Sequence, residues 1–354
     1  MDSRIVIVAP SLDILGGQGI QAHALVEHLT EERREVSVLR VNPRFPRGFG
    51  WIRRIPYART VFNQALYVPS LLRLRSADVV HVFSASYWSF LLAPVPAMVV
   101  ARALGKRIIL NYHSGEADDH LARWGSRVHP WLRLAHEVVV PSEYLRDVFA
   151  RHGYRARVIP NVVDTSRFLF RERVSLRPRL VSTRNLESHY GLDNTIEAFT
   201  LVRERYPEAT LTIAGCGSEE QSLRRLAGSL APGAIRFIGR VEPPEMPSLL
   251  DAADVFVNSS VVDNQPISVL EAFASGIPVV STPTGDIANM VRDAETGTLV
   301  PPREPTAMAK AVIRLLEGPD RAAAMARRAR SEVEKYSWPH VSGQWAAVYA
   351  GRAA

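Results

Sequence analysis

The stretch from Asp254 to Gly285 reads DVFVNSSVVDNQPISVLEAFASGIPVVSTPTG. Its opening, Asp254–Ser260, is apolar and β-branched, the composition of a strand buried on both faces. A polar loop follows, Val262-Asp263-Asn264-Gln265, and Pro266 opens a helix, as a proline at the first helical position commonly does. Ile267, Leu270 and Ala274 share one helical face, Gly276 stops the helix, and Pro278–Thr282 is a second strand. The stretch is one βαβ unit, and an α/β fold with parallel sheets is built from such units.

Two carboxylates stand out in it. Asp263 lies beyond the carboxyl end of the first strand, where open α/β sheets place their ligands. Glu271 follows one to two turns into the helix. Backbone N–H groups from Asn264 to Ser268 mark the helix N-terminus, which attracts anions. Acceptors for hydroxyls beside donors for phosphate suit a sugar joined to a diphosphate. A surface aspartate and a glutamate on an exposed helix face would give the same spacing.

Asp263-x7-Glu271, with Pro266, Glu271-Ala272, Gly276 and Pro278-Val279-Val280, resembles the signature of the family 4 glycosyltransferases. These are retaining enzymes of the GT-B fold, with two Rossmann-like domains whose parallel sheets face a central cleft and a last helix that crosses back to the first domain. Their usual form is Glu-x7-Glu followed by EAxAxGxPVV, so Asp263 is a departure. The resemblance extends over nearly the whole chain.

With 354 residues the chain is long enough for two domains, each with its own core. A hydrophobic share of 47% and a charged share of 22% are those of an ordinary globular protein. The single cysteine, Cys216, excludes an internal disulfide and fits a reducing compartment, so the expected location is cytoplasmic. MDSRIVIVAPS reads as a first strand rather than a signal peptide. The longest apolar segment, residues 90–101, is interrupted by Pro94 and Pro96 and falls short of the ~20 residues needed to cross a bilayer. Residues 1–170 hold 22 Arg+Lys against 14 Asp+Glu, hence +8, whereas residues 171–354 hold 21 against 22, hence −1. A basic half suggests anionic partners, although a solvated arginine-rich surface reads the same way.

Strand Arg4–Ala9 leads into a glycine-bearing loop, Pro10–Gln18, and a helix from about Ile20 to Leu29. Gly17-Gln18-Gly19-Ile20-Gln21-Ala22 satisfies G-x-G-x-x-A read loosely. Against NAD, the glycines come late after the strand, and the second strand ends Leu39-Arg40-Val41-Asn42 with no acid for a ribose. Gly16-Gly17 is similar to the family's diphosphate-approaching glycine loop. Pro43–Arg75 interleaves arginines 44, 47, 53, 54, 59, 73 and 75 with Phe45, Phe49, Trp51, Tyr57, Phe62 and Tyr67, a texture that suits an anionic membrane surface or nucleic acid, and equally an irregular surface loop with a packed helix. No RNA-binding signature accompanies it, and no nucleic-acid partner is expected. A strand over Ser76–Phe83, a helix over Ser89–Ala103 and a strand over Arg107–Tyr112 follow. His113 stands at the end of the last of these, where the family pattern has a histidine near the transferred sugar. Strands at Glu137–Val140 and Val158–Ile159 close the first half, and Val140-Pro141-Ser142 and Ile159-Pro160-Asn161 resemble family landmarks at the end of the first domain.

The domain boundaries expected are 1–165 on the acceptor side, 174–335 for the nucleotide sugar and 336–354 for the returning helix, with residues 165–178 as linker. The second series runs strand Arg179–Thr183, helix Asp193–Glu204, strand Ala209–Ala214, Gly215-Cys216-Gly217, strand Ile235–Ile238 and a helix near Met246–Ala252. Arg184 matches the arginine that the family aims at the donor diphosphate. The partner lysine expected six residues later is Tyr190, a second departure, with His189 beside it. Gly215 is similar to a further family glycine loop, or is a tight turn after a strand. In the tail, Trp338, Val341, Trp345 and Tyr349 recur at helical spacing, a core-facing stripe.

The resemblance implies a retaining hexosyltransferase that uses a nucleotide-diphosphate sugar and a lipid-linked or polysaccharide acceptor in cell-envelope glycan synthesis. It implies no cofactor and no metal: Asp-x-Asp is absent, and Arg184, the N-terminus at Asn264, Gln265, Pro266 and Ile267, and the Gly16-Gly17 amides would stabilise the departing diphosphate. Asp263 would hold sugar hydroxyls, Glu271 the ribose, and His113 the sugar. The two departures support an alternative, a catalytically weakened sugar-nucleotide or glycan-binding module. A third reading, an NAD-dependent epimerase or dehydrogenase, is disfavoured by the second strand's end and by the lack of a Tyr-x-x-x-Lys pair.

Overall fold

A computed structural model describes residues 3–11 and 16–352, apart from the side chains of 53, 54 and 56. Residues 12–15 of the first glycine-bearing loop therefore lie outside the described residues. The chain divides into two compact units, Met1–Val162 with Val341–Ala354, and Val163–His340.

The first unit carries a six-stranded sheet of β1 (Ile5–Ala9), β2 (Val36–Arg40), β3 (Val79–Ser84), β4 (Arg107–Tyr112), β5 (Glu137–Val140) and β6 (Arg157–Val158). Every pairing is parallel, in the order β2-β1-β3-β4-β5-β6. Alternation along the strands fills both faces: Val6, Val8, Val80, Val82, Ile108 and Leu110 enter one core with Phe90, Met98 and Phe149, while Ile5, Ile7 and Ile109 are buried as well. Strands buried on both faces are what make a parallel sheet read as continuous apolar runs.

The second unit repeats the plan with β7 (Arg179–Ser182), β8 (Thr210–Ala214), β9 (Ile235–Gly239), β10 (Val255–Asn258), β11 (Val279–Ser281) and β12 (Thr298–Leu299). Its order is β12-β11-β10-β7-β8-β9, again all parallel. Leu180, Val255, Val257 and Val280 pack on one side of this sheet, and Val181, Phe256 and Val279 on the other. The order reverses between β1 and β3 in the first unit and between β7 and β10 in the second, and open α/β sheets bind ligands outside such reversals.

Several expectations are corrected. The first helix spans Gly17–Glu31, not from about Ile20, so both glycines of the G-x-G-x-x-A reading lie inside a helix rather than in a strand-to-helix turn. One helix over Ser89–Ala103 is in fact two, Tyr87–Leu92 and Pro94–Ala103. Pro94 cannot donate into the preceding turn and starts a new helix instead. Pro266 is the cap, extended at φ −71°, ψ 120°, and the helix runs Ile267–Ala274.

The segment read as the linker, residues 165–178, belongs to the second unit and is held there by Arg173. This fully buried guanidinium donates to the backbone carbonyls of Leu250, Ala253, Arg171, Ser275 and Gly276. Burial first, then the neighbouring Arg171 cation, push it down to about 10, and Asp254 opposes them. At the other end of the chain, the helix Trp338–Tyr349 joins the first unit from Val341 onward, with Val341, Trp345 and Tyr349 buried and Trp338 half-buried.

Candidate functional site

The loops leaving β7 and β10 flank the second unit's reversal point, and they carry Arg184 and Asp263. Arg184 Nη2 donates to Asp263 Oδ2 at 2.7 Å, and each side chain is only 10% exposed. Arg184 Nη1 donates to Ser268 Oγ at 3.0 Å, in the first turn of the helix Ile267–Ala274. The guanidinium carbon stands 4.1 Å from the centre of the Tyr190 ring, a cation–π contact. Asp263 Oδ1 accepts from the Asn264 N–H at 3.0 Å. Both departures from the family pattern therefore converge on Arg184.

Two glycines make these loops geometrically feasible. Gly215, at φ +147°, lies so close beneath the Arg184 loop that an added Cβ would fall 2.3 Å from the Arg184 carbonyl oxygen. At Gly285, φ +60°, the same atom would fall 2.2 Å from the Asp263 carbonyl oxygen. Only glycine permits such approaches at positive φ. The short 3₁₀ turn Ser188–Tyr190 is tied to the loop after β10 by the Val261 and Val262 N–H groups, which both donate to the His189 carbonyl.

Asn264, Gln265 and Pro266 are buried at the start of the helix, and Ile267 is half-buried. No side chain caps this helix, and its first turn holds no acid. Glu271 retains part of its surface, yet burial raises its carboxyl to about 7 against the opposing pull of Arg167 and Arg184. It thus sits in the field of the same arginine.

In the first unit, Gly16 is extended at φ −163°, with open space where a side chain would be, and Gly17 begins the helix. That helix likewise has no side-chain cap and no acid in its first turn. The end of β3 joins this helix start to His113: the Ser84 carbonyl accepts from Gln18 Nε2 at 3.1 Å and from the His113 N–H at 3.1 Å. The His113 ring stacks on Phe83, centroids 5.2 Å apart, and burial pushes the imidazole down to about 3, so it is neutral at ordinary pH.

Arg184, Tyr190, Gly215, Asp263 and Asn264 are brought together in the second unit, with Glu271 farther along the helix. Gly16, Gly17 and His113 gather at the end of β3 in the first. The sequence marks Ser268 by its backbone N–H alone, and its hydroxyl on Arg184 is an addition. Its position in the helix's first turn, five residues after Asp263, is the signal that could have found it. Among the described residues no group of three or more His, Cys, Asp or Glu could hold a metal ion.

Two doubly wound parallel units, with an arginine and a helix N-terminus at the switch point of the second, have the architecture of the GT-B fold. The family model described as Glycosyltransferase Family 4 matches residues 15–167, and Glycosyl transferases group 1 matches residues 170–332. The chain belongs to this glycosyltransferase family. It is 29% identical over 98% of its length to a phosphatidyl-myo-inositol mannosyltransferase of Mycolicibacterium smegmatis, covering 93% of that protein. It is 31% identical to a glycogen synthase of Mycobacterium tuberculosis over 77% of this chain and 68% of that one. Among solved structures, HepE of Anabaena in complex with UDP and glucose superposes with a TM-score of 0.76 at 17% identity, covering 98% and 99% of the two chains. Sucrose-phosphate synthase of Thermosynechococcus elongatus gives 0.79 at 20%, covering 99% and 98%. At these identities the structural likeness shows the fold alone.

Proposed function

We propose that this glycosyltransferase is a retaining, metal-independent enzyme that moves a hexosyl unit from a nucleotide-diphosphate sugar to a lipid-linked or polysaccharide acceptor. The observation that carries the donor reading is Arg184, almost buried at the switch point and bonded to Ser268 in the first turn of an uncapped helix. Positive charge and helix-end N–H groups at one place favour the negative charge that develops on a departing diphosphate. Glu271 is proposed to accept from ribose hydroxyls. Asp263 and the neutral His113 are proposed to meet hydroxyls of the transferred sugar.

Similarity to the mannosyltransferase over almost the whole chain favours a lipid-linked acceptor with an anionic head. The segment 43–75 supports peripheral contact with an anionic membrane. Its helix Pro56–Ser70 and flanking turns leave Tyr57 88%, Val61 71%, Trp51 61% and Leu72 57% exposed beside Arg47, Arg59, Arg73 and Arg75. Aromatic and aliphatic side chains can enter the headgroup boundary while arginines meet lipid phosphates. No helix among the described residues is long and apolar enough to cross a membrane.

The reading is tested by incubating the protein with UDP-, GDP- and ADP-hexoses, with phosphatidylinositol vesicles or with oligosaccharides, and following the anomeric proton of the product by NMR. Transfer with retained configuration is expected, and an inverted product contradicts retention. A second reading, a sugar-nucleotide-binding module, is favoured by the Arg184–Asp263 pair, which already neutralises the proposed phosphate ligand. Binding of a donor without transfer or hydrolysis would select it.

A further inference from the structure

We infer that Asp263 is an internal counterion standing where the donor phosphate would bind Arg184, so that donor capture exchanges one anion for another and hands Asp263 to the sugar. The inference rests on the donor reading above and adds the order and selectivity of binding. Arg184 presents five N–H donors in a rigid fork. Nη2 holds Asp263 and Nη1 holds Ser268, while Nε is buried with no hydrogen-bond partner. Buried arginine nitrogens are ordinarily paired, so an unpaired Nε beside an occupied Nη2 marks an edge with unused capacity for an acceptor.

The surroundings explain why the carboxylate is there. A cation at the N-terminus of a helix opposes the macrodipole, and a nearby anion offsets it. Asp263 supplies that anion, with Oδ2 on Arg184 and Oδ1 on the Asn264 N–H. Both of its oxygens are thus engaged within the protein. Tyr190 covers one face of the guanidinium at 4.1 Å. It adds no charge but fixes the plane of the fork and covers a face, so that a phosphate replacing Asp263 would meet the Nε–Nη2 edge.

A phosphate on Arg184 would stand within a few ångströms of Asp263. At the effective dielectric of a partly buried site, two like charges about 5 Å apart repel by more than a factor of ten in affinity. The repulsion is relieved when Asp263 turns from Arg184 to accept sugar hydroxyls. A nucleoside diphosphate lacking the sugar cannot offer that relief. The exchange therefore makes the protein prefer the sugar-bearing donor to the bare nucleotide, which protects it from its own leaving group.

The test uses the full chain in calorimetry with UDP, GDP and ADP and the glucose and mannose conjugates of each. Asp263→Asn keeps the shape and removes the charge. The variant is expected to bind the bare nucleoside diphosphate about tenfold more tightly than the native protein and to lose most of its preference for the conjugate. Equal or weaker binding of the bare nucleotide by a folded variant overturns the exchange. A double-mutant cycle in denaturant unfolding, with Arg184→Met and Asp263→Asn, probes the pair without any ligand. It should show at least a tenfold coupling in the folding constant, and additive effects overturn the counterion assignment. If no nucleotide binds either protein, the donor reading falls and takes the exchange with it, and the cycle then reports only whether the pair exists.

Discussion

His81 Nδ1 and the Tyr349 hydroxyl are hydrogen-bonded at 2.9 Å across 268 positions of the chain, which ties the returning helix to β3. Burial, and then the field of His113, push the His81 imidazole down to about 3. His113 is lowered to about 3 and His120 to about 4, in both cases chiefly by burial. The unfolded chain takes up these protons first as pH falls below about 6.5, so the associated stability is complete above that pH and declines from there towards pH 3–4. Each histidine is expected to cost at most about 2 kcal/mol by pH 5. Denaturant unfolding at pH 7.5 and 5 should show the loss, and His81→Leu should reduce it. The raised Glu271 carboxyl contributes with the opposite sign over this range, so the comparison is made in Glu271→Gln as well, and acid-insensitive stability in that variant would show that the imidazoles are not held neutral.

Arg173 joins the entry segment of the second unit to the carbonyl end of the helix that bears Glu271. Arg173→Met takes a donor from each of five carbonyls, while Asp254 keeps Arg179 at 2.6 Å, for a loss of roughly 3 kcal/mol or more. Arg173→Lys should fare little better, because an ammonium has three donors on a point charge and cannot span a fan of carbonyls. Thermal unfolding of the two variants measures this. A lysine variant as stable as the native protein would mean that charge alone suffices.

Much of this was legible in the sequence because burial on both sheet faces writes parallel strands as apolar runs. Arg107–Tyr112 and Glu137–Val140 are strands with the bounds expected. The βαβ unit around Asp263 and Glu271 was found for the same reason. Side-chain pairing across distance leaves no such mark. Arg173 sits in a charged, aperiodic stretch, and nothing local says that its partners lie about 80 and 100 positions away. Tyr190 reads as a departure in the sequence, but a cation–π contact leaves no spacing signal that would put its ring on Arg184. The start of the first helix was misplaced because glycines carry no apolar periodicity.

Glu271, with its carboxyl raised to about 7, keeps its proton in the folded state where the unfolded chain has released it. Its contribution therefore favours folding at low pH and is lost as pH rises from about 4.5 to about 7, by up to about 3 kcal/mol. Donor affinity should move the other way. If the ionised carboxylate accepts from the ribose, binding strengthens between pH 6 and 8, as charge-assisted bonds are the stronger ones. Calorimetry across that range with native protein and Glu271→Gln checks this, and a flat native profile would separate Glu271 from the ribose.

Transfer is expected to persist in EDTA, because Arg184 and the helix N-terminus supply the positive potential assigned to them. Rate assays with and without chelator decide it. Complete loss that Mg²⁺ or Mn²⁺ restores would overturn the metal-independent proposal.

Under the proposed function, the second unit binds a nucleotide-diphosphate sugar through Arg184 and Glu271. Calorimetric titration of the native protein, Arg184→Ala and Glu271→Ala with UDP-, GDP- and ADP-sugars tests it most directly. One nucleotide class is expected to bind, and losing the Glu271 carboxylate should weaken it by roughly 1.5–3 kcal/mol, about ten- to a hundredfold. Arg184→Ala should weaken it at least as much. A native protein that binds none of these donors, or folded variants that bind as tightly as the native chain, would contradict it.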